Sequence, residues 1–309
     1  KDVIYQPVYT VKGLAGAVYE ITADEDIITP DGTLRYHKGD VVDTVTTDDE
    51  GFAKSKELYL GKYTVVEIKA PNGMVINNEK HSVELTYAGQ DVAVTETVTS
   101  FYNERQKVKI SLEKVLEQND IFGIGKNDEI KNISFGLYAK EDIVSSSGTV
   151  IPADGLIEII TLDENGKATV NTDLPFGSYY IKEIATDEHY ILSATQYPFT
   201  FEYAGQDTET VEINVNDGMS IENKLIYGSV SGKKIDENGE ALNGALIGIF
   251  KANETVFTRE HALMTAVSQK DGSFTFAKVP YGNWIVREIE APTGFVIDDT
   301  SYEVNISEN

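Results

Sequence analysis

One template recurs three times along the chain, and that repeat constrains the fold more than any other feature. The copies read DDEGFAKSKELYLGKYTVVEIKAPNG (Asp48 to Gly73), DENGKATVNTDLPFGSYYIKEIATDEHY (Asp163 to Tyr190) and KDGSFTFAKVPYGNWIVREIEAPTGF (Lys270 to Phe295). In each, an acidic turn ending in Gly51, Gly166 or Gly272 leads into a strand pattern. A tight turn follows at Gly61, Gly177 or Gly282, and an aromatic-rich strand ends in Glu67, Glu183 or Glu288. These glutamates stand roughly 110 residues apart, a domain-sized period rather than a short solenoid repeat.

Other shared pieces hold the same register. GLAGAVYEI (Gly13 to Ile21) matches NISFGLYA (Asn132 to Ala139) and LNGALIGIF (Leu242 to Phe250). Downstream, the tetrad AGQD occurs at Ala88 to Asp91 and again at Ala204 to Asp207. The 309 residues therefore divide into units at 1–106, 107–226 and 227–309. The joints between them are too short to be flexible tethers, which predicts a stiff, elongated rod.

Runs such as KYTVVEI, SVELTY, FTFEY and GNWIVREI are β-branched or aromatic, alternate in polarity, and are bounded by Gly, Asn and Asp. Asn72-Gly73, Asn165-Gly166, Asn238-Gly239 and Asp271-Gly272 mark turns. The expected class is all-β, one β-sandwich per unit. The exception is TREHALMTA, where Thr258 as N-cap predicts a short helix.

Charge and cysteine content narrow the function. Lys plus Arg number 26 against 51 Asp plus Glu, a net charge of −25, which repels nucleic acid and anionic lipid. No apolar run is long enough to span a membrane, and no secretion signal or sorting tail is present. The chain is thus either cytosolic or a piece of something larger. Zero cysteine excludes disulfides and thiolate metal sites. His37, His81, His189 and His261 are scattered without paired spacing, so no metal or cofactor is expected. The acidic turns lack the terminal Glu of a calcium loop and read as solvated turns. GIGKNDE (Gly123 to Glu129) follows no Rossmann-like unit and reads as a loop.

Alternation puts residues of one parity on one strand face. Glu67 shares parity with Tyr63 and Val65, Glu183 with Tyr179 and Ile181, and Glu288 with Trp284 and Val286. A single strand-end glutamate ordinarily slips out to solvent; three copies at one template position argue for a role. Lys114 ends the stripe of Ile110 and Leu112, and Lys234 that of Val230 and Gly232. Such a lysine ordinarily snorkels outward, but a buried one is a neutral nucleophile. Asn223 shares parity with Met219 and Ile221, and Asn103 with Phe101, as core amides often do. A desolvated amine, a neutral carboxylic acid and a side-chain amide together permit one reaction: attack on the amide carbon, loss of ammonia and an isopeptide bond.

The stretches GNWIVREIEAPTGF and GKYTVVEIKAPNGM, with a GA-containing strand before them and a closing Asn after, resemble the B-type repeat domains of Gram-positive collagen adhesins. They are similar also to the prealbumin-like domains of backbone pilins and SpaA-type surface proteins. The resemblance covers essentially the whole chain. It implies three tandem Ig-like, prealbumin-like sandwiches, extracellular display anchored to a Gram-positive cell wall, and autocatalytic Lys–Asn isopeptide bonds promoted by an acid. In the middle unit the matching residues are Lys114, Glu183 and Asn223, although ATDEHY replaces the APxG of the other units. In the first, Glu67 and Asn103 match; its opening strand is nearly absent, leaving Lys1 or a lysine further upstream as nucleophile. The last offers Lys234 and Glu288 but no closing Asn, because Asn305 and Asn309 come too early. Both ends read as cut inside a domain.

The leading reading is therefore a structural stalk or pilin segment, not an enzyme, with neighbouring pilin subunits as partners. The alternative is a binding module that recognises a host extracellular-matrix protein or glycan through exposed aromatics, with DIITPDGTLRYHKGD (Asp26 to Asp40) as the place to look.

Overall fold

The computed structural model describes residues 3–145, 148 and 150–307. Lys1 and Asn309 lie outside that set. Nearly all regular structure is strand, and the middle unit is the most complete. One sheet orders Leu156–Thr161, Ser134–Ala139, Gly177–Ala185 and Gln196–Phe201, all antiparallel. The other places Lys107–Leu116 at its centre, antiparallel to Lys167–Val170 and parallel to both Thr210–Asn214 and Ile221–Asn223. Between the sheets, Val108, Ile110 and Leu112 meet Phe135, Leu137, Tyr179, Ile181 and Phe201. Burial alternates along Lys107–Leu116, and Lys114 takes the fourth inward position.

The template glycines have steric causes. Gly61 and Gly177 adopt φ of 150° and 156°, and a Cβ at either would press on the buried Ile27 or Ile143 side chain. Three acidic turns are each built on an aspartate whose Oδ1 accepts two backbone amides: Asp48 from Glu50 and Phe52, Asp163 from Asn165 and Lys167, and Asp236, outside the template, from Asn238 and Glu240; at the Gly272 turn Asp271 Oδ1 accepts Ser273 N. These carboxylates stabilise turns.

The third unit repeats the first sheet with Met264–Val267, Leu246–Lys251, Gly282–Glu290 and Tyr302–Ile306, and pairs Tyr227–Lys233 with Ser273–Pro280. The expected helix at Thr258 is not formed. A single turn closes from His261 N and Ala262 N to Thr258 O, and Met264–Val267 then pairs with Leu246–Lys251. One hydrogen-bonded turn is an unfavourable helix nucleus, and the sheet offers a full ladder instead.

The first unit keeps one four-stranded sheet, ordered Val41–Thr46, Val18–Ala23, Gly61–Lys69 and Lys80–Leu85, beside a two-stranded pairing of Ile27–Ile28 with Leu34–Tyr36. Among the described residues no strand stands opposite it; 52–60 and 86–104 run there without ladder pairing. The N-terminal segment leaves this unit for the middle one. Tyr5 N donates to Leu156 O, Tyr5 packs on the middle core, and Tyr9 OH donates to Asp173 O.

Both joints are packed. At the first, Gln206 Oε1 accepts Ala70 N at 2.9 Å, Gln206 O accepts Ile76 N at 2.9 Å, and Tyr203 OH donates to Met74 O at 2.7 Å. Gln106, buried in the linker, ties the same loop down: its Nε2 donates to Gly205 O and Thr208 O, and its Oε1 accepts Ala204 N. Arg105 and Lys107 both pair with Asp173. At the second joint, Phe122 and Ile124 from the middle unit enter the core of the third, Phe122 edge-on to Trp284 at 4.8 Å.

Candidate functional site

Lys114, Glu183 and Asn223 meet inside the middle unit. Each arrives by a local rule. The pleat of Lys107–Leu116 turns Lys114 inward after three apolar residues. Lys114 N donates to Gly166 O, and a Cβ at Gly166 would run into the Lys114 carbonyl, so the acidic turn needs glycine to seat that strand. Glu183 lies inward near the end of Gly177–Ala185, and Asn223 ends the short Ile221–Asn223 strand beside Lys107–Leu116.

The polar atoms then interlock. Lys114 Nζ donates to Asn223 Oδ1 at 2.5 Å and lies 3.7 Å from Glu183 Oε1. Asn223 Nδ2 donates to Glu183 Oε1 at 2.6 Å and to Thr186 Oγ1 at 3.0 Å. Glu183 Oε2 accepts Ser193 N at 2.9 Å. The side chains of Lys114 and Glu183 are 0% and 2% exposed, so no water competes for these groups. Phe135 forms part of the wall, its ring 5.9 Å from Nζ. Burial pulls the Lys114 amine below its ordinary value, and the Glu183 carboxylate opposes that pull. An amine biased towards its neutral form, touching a carboxamide that a carboxyl group holds from the other side, is an arrangement for acyl transfer.

The first unit has two of the three groups. Asn103 Nδ2 donates to Glu67 Oε2 at 2.8 Å and to Val75 O at 3.0 Å, and Oε2 also accepts Asn77 N at 2.7 Å. Glu67 Oε1 is buried without a hydrogen-bond partner. Burial, with Glu67 alongside, raises the Tyr19 hydroxyl to about 12. Lys1 lies outside the described residues, and Lys12 is exposed. The third unit has a different pair. Lys234 Nζ lies 3.4 Å from Glu288 Oε1, and Glu288 Oε2 accepts Asp298 N at 2.6 Å. Asn305 is exposed on Tyr302–Ile306 and donates to Asn283, away from that pair.

Two features escaped sequence reasoning. Thr186, in the ATDEHY departure from the template, supplies an acceptor for Asn223. The amide ten residues beyond each glutamate, from Asn77, Ser193 and Asp298, fixes its Oε2. A constant ten-residue offset from the repeated Glu was the signal available for the second.

Comparison with known proteins agrees across the chain. The profile of the SpaA prealbumin-like fold domain matches residues 7–99, 122–218 and 228–309. A trypsin-resistant surface T6 protein of Streptococcus pyogenes is 27% identical over 139 residues, which cover 44% of this chain and 24% of that protein. The solved structure of the Bacillus anthracis TIE protein superposes with a TM-score of 0.63 at 22% identity, over 96% of this chain and 46% of that one. BcpA, the major pilin subunit of Bacillus cereus, aligns over 96% of this chain and 92% of its own at 16% identity, with a TM-score of 0.37. The chain spans about a quarter of the T6 protein and about half of the TIE chain.

Proposed function

Because the chain belongs to the family of SpaA prealbumin-like fold domains, we propose that it is a stalk segment of a Gram-positive surface protein or pilin, stapled in its middle unit by an isopeptide bond between Lys114 and Asn223. The observation that carries the staple is the 2.5 Å contact of Lys114 Nζ with Asn223 Oδ1 inside a dry core, with Glu183 Oε1 2.6 Å from Asn223 Nδ2. The relatives' names, a surface protein and a pilin, support display outside the cell.

The reaction balances without a cofactor. A proton passes from the Lys114 ammonium to the Glu183 carboxylate, leaving amine and acid, both neutral. Nζ attacks Asn223 Cγ, forming the new C–N bond, and Glu183 shuttles protons between the entering Nζ and the departing Nδ2. The Cγ–Nδ2 bond breaks and ammonia leaves. Each chain reacts once, so the residues act as an internal cross-linker rather than a turnover enzyme. The link joins the first and last strands of the unit across 109 residues, so tension entering along Lys107–Leu116 crosses to Asn223 without unzipping the sheet.

Intact mass tests this. The purified chain is expected to weigh about 17 Da less than its composition requires, one ammonia, with a branched peptide joining Lys114 to Asn223. Glu183→Gln is expected to restore the full mass while the sheets persist by circular dichroism. Full mass in the unaltered chain would refute the staple and leave the fold assignment standing.

A further inference from the structure

Three positions beyond the repeated glutamate the template carries Ala70 in the first unit and Ala291 in the third, each followed by proline. The middle unit carries Thr186 there, followed by Asp187. The surrounding loop is built around that change. Asp187 is buried, its Oδ2 accepts Asn132 Nδ2 at 2.7 Å, and its Oδ1 accepts His189 N at 3.1 Å and lies 2.6 Å from His189 Nδ1. Tyr190 N closes the turn on Asp187 O at 3.0 Å. These bonds fix the backbone next to Thr186, and a β-branched side chain on a fixed backbone has few choices of χ1. The hydroxyl is thereby aimed at Asn223, whose Nδ2 donates to Thr186 Oγ1 at 3.0 Å.

That bond decides how the carboxamide is held. The terminal torsion of an asparagine is soft, so its plane is set by its hydrogen-bond partners. Nδ2 has two hydrogens: one goes to Glu183 Oε1 at 2.6 Å and the other to Thr186, which leaves Oδ1 turned towards Lys114 Nζ. The first unit is an internal comparison. Asn103, in the unit with Ala70, donates to Glu67 Oε2 and to Val75 O. Its amide thus sits on the oxygen that also accepts Asn77 N, and Glu67 Oε1 is left without a hydrogen bond. A hydroxyl three residues past the glutamate and an amide seated on Oε1 occur together.

We propose that Thr186 is a fourth member of the bond-forming set, anchoring the leaving nitrogen of Asn223. The role rests on the Lys114–Asn223 staple proposed above. Before attack, the anchor fixes the carboxamide plane, and with it the face of Cγ that Nζ meets. During the reaction it does more. Nζ forms its bond to Cγ, the carbonyl π pair moves to Oδ1, and Nδ2 loses its conjugation and exposes a lone pair. Glu183 delivers its proton to that lone pair, the Cγ–Nδ2 bond pair departs with nitrogen as ammonia, Oδ1 re-forms the carbonyl, and Glu183 regains a proton from Nζ. Glu183 therefore changes from acceptor to donor towards Nδ2. Thr186 Oγ1 keeps its N–H through that change and holds the nitrogen in place. A hydroxyl suits the position because it accepts without adding a second charge to a dry pocket.

The test follows the full chain during cell-free synthesis. Samples are quenched in acidic denaturant and weighed intact, so the growing fraction short by one ammonia gives a rate. Thr186→Val keeps the shape and removes the hydroxyl; Thr186→Ala copies the residue at positions 70 and 291, which the template loop already accepts. Both are expected to slow ammonia loss about tenfold, the worth of one hydrogen bond held in the transition state. Thr186→Ser keeps the hydroxyl and is expected to stay close to the unaltered rate. A packing role would give another order: Ser and Ala, both without the methyl, would slow alike, and Val would not. That order, or the unaltered rate in both Val and Ala, would overturn the role of Thr186 and leave the staple standing. Full mass in the unaltered chain at every time would overturn both.

Discussion

Replacing Lys114 by Met removes the staple, and the size of the loss follows from the structure. Methionine fills a similar volume without an amine, and the site is closed to water. If the bond exists, the variant opens a loop of 109 residues. Chain-entropy arithmetic for a cross-link of that length gives a loss of roughly 5 kcal/mol. For a unit of about 120 residues, about 4 °C per kcal/mol, the middle transition falls by about 20 °C. If no bond exists, the substitution instead removes an amine from a dry core. Removing one partner leaves Glu183 without its cation and Asn223 Oδ1 without its donor, which also destabilises, by about 3–5 kcal/mol, so the ammonia deficit in the mass decides between the two accounts. Calorimetry resolves the transitions, and the mass of each sample states whether the bond is present. A Lys114→Met melting temperature equal to or above that of the unaltered chain would refute the reasoning.

Asn223→Ala leaves Lys114 buried, titratable and unbonded. Its native value is depressed by burial, so the unfolded state binds more protons between that value and about 10.4, and stability rises with pH through the window. Denaturation from pH 7 to 10 is expected to show that rise in Asn223→Ala and not in Asn223→Ala/Lys114→Met. At the first joint, Gln206→Ala strands the buried Ala70 amide; a cost of about 1–3 kcal/mol is expected, read as faster hydrogen exchange at Ala70 and Ile76. Phe122→Ala, a change in the middle unit, is expected to destabilise the third by about 3–5 kcal/mol, because the ring fills the core around Trp284. The third transition in calorimetry should fall while the ammonia deficit in the mass persists.

The inward parity of Glu67, Glu183 and Glu288 was legible because the side-chain period of a strand is two, and all three prove buried. Lys114 was legible for the same reason, as the next inward residue after Leu112. What lies between units was not. AGQD was visible as a repeat, but nothing in one sequence says that its second copy docks on Ala70 while its first stays bare. Phe122 and Ile124 sit in a Gly-rich stretch that reads as a plain loop, because the core they fill belongs to residues more than a hundred positions away. The path of Val3 to Tyr9 onto the middle unit is likewise a tertiary choice: an alternating segment states that it will pair, not with which edge. At Thr258 the capping signal was real, since its carbonyl accepts His261 N and Ala262 N, but the following residues gained more from the sheet.

The three units also separate two roles held by one glutamate. Its Oε2 does the same thing everywhere, accepting the amide ten residues on and pinning the loop that follows to the strand end. That role needs neither lysine nor asparagine, which accounts for Glu67 and Glu288 in units where the set of three is incomplete among the described residues. Oε1 is what differs. It takes Asn223 Nδ2 and lies 3.7 Å from Lys114 Nζ in the middle unit and 3.4 Å from Lys234 Nζ in the third, whereas Glu67 Oε1 in the first is buried without a hydrogen bond. An oxygen left in that condition costs about 1–3 kcal/mol, so the first unit, which lacks the lysine among the described residues, retains a destabilised atom. Gln at position 183 therefore tests the chemistry without confusing it with the loop anchor, since an amide oxygen still accepts Ser193 N. Ala at the same position would remove both roles at once.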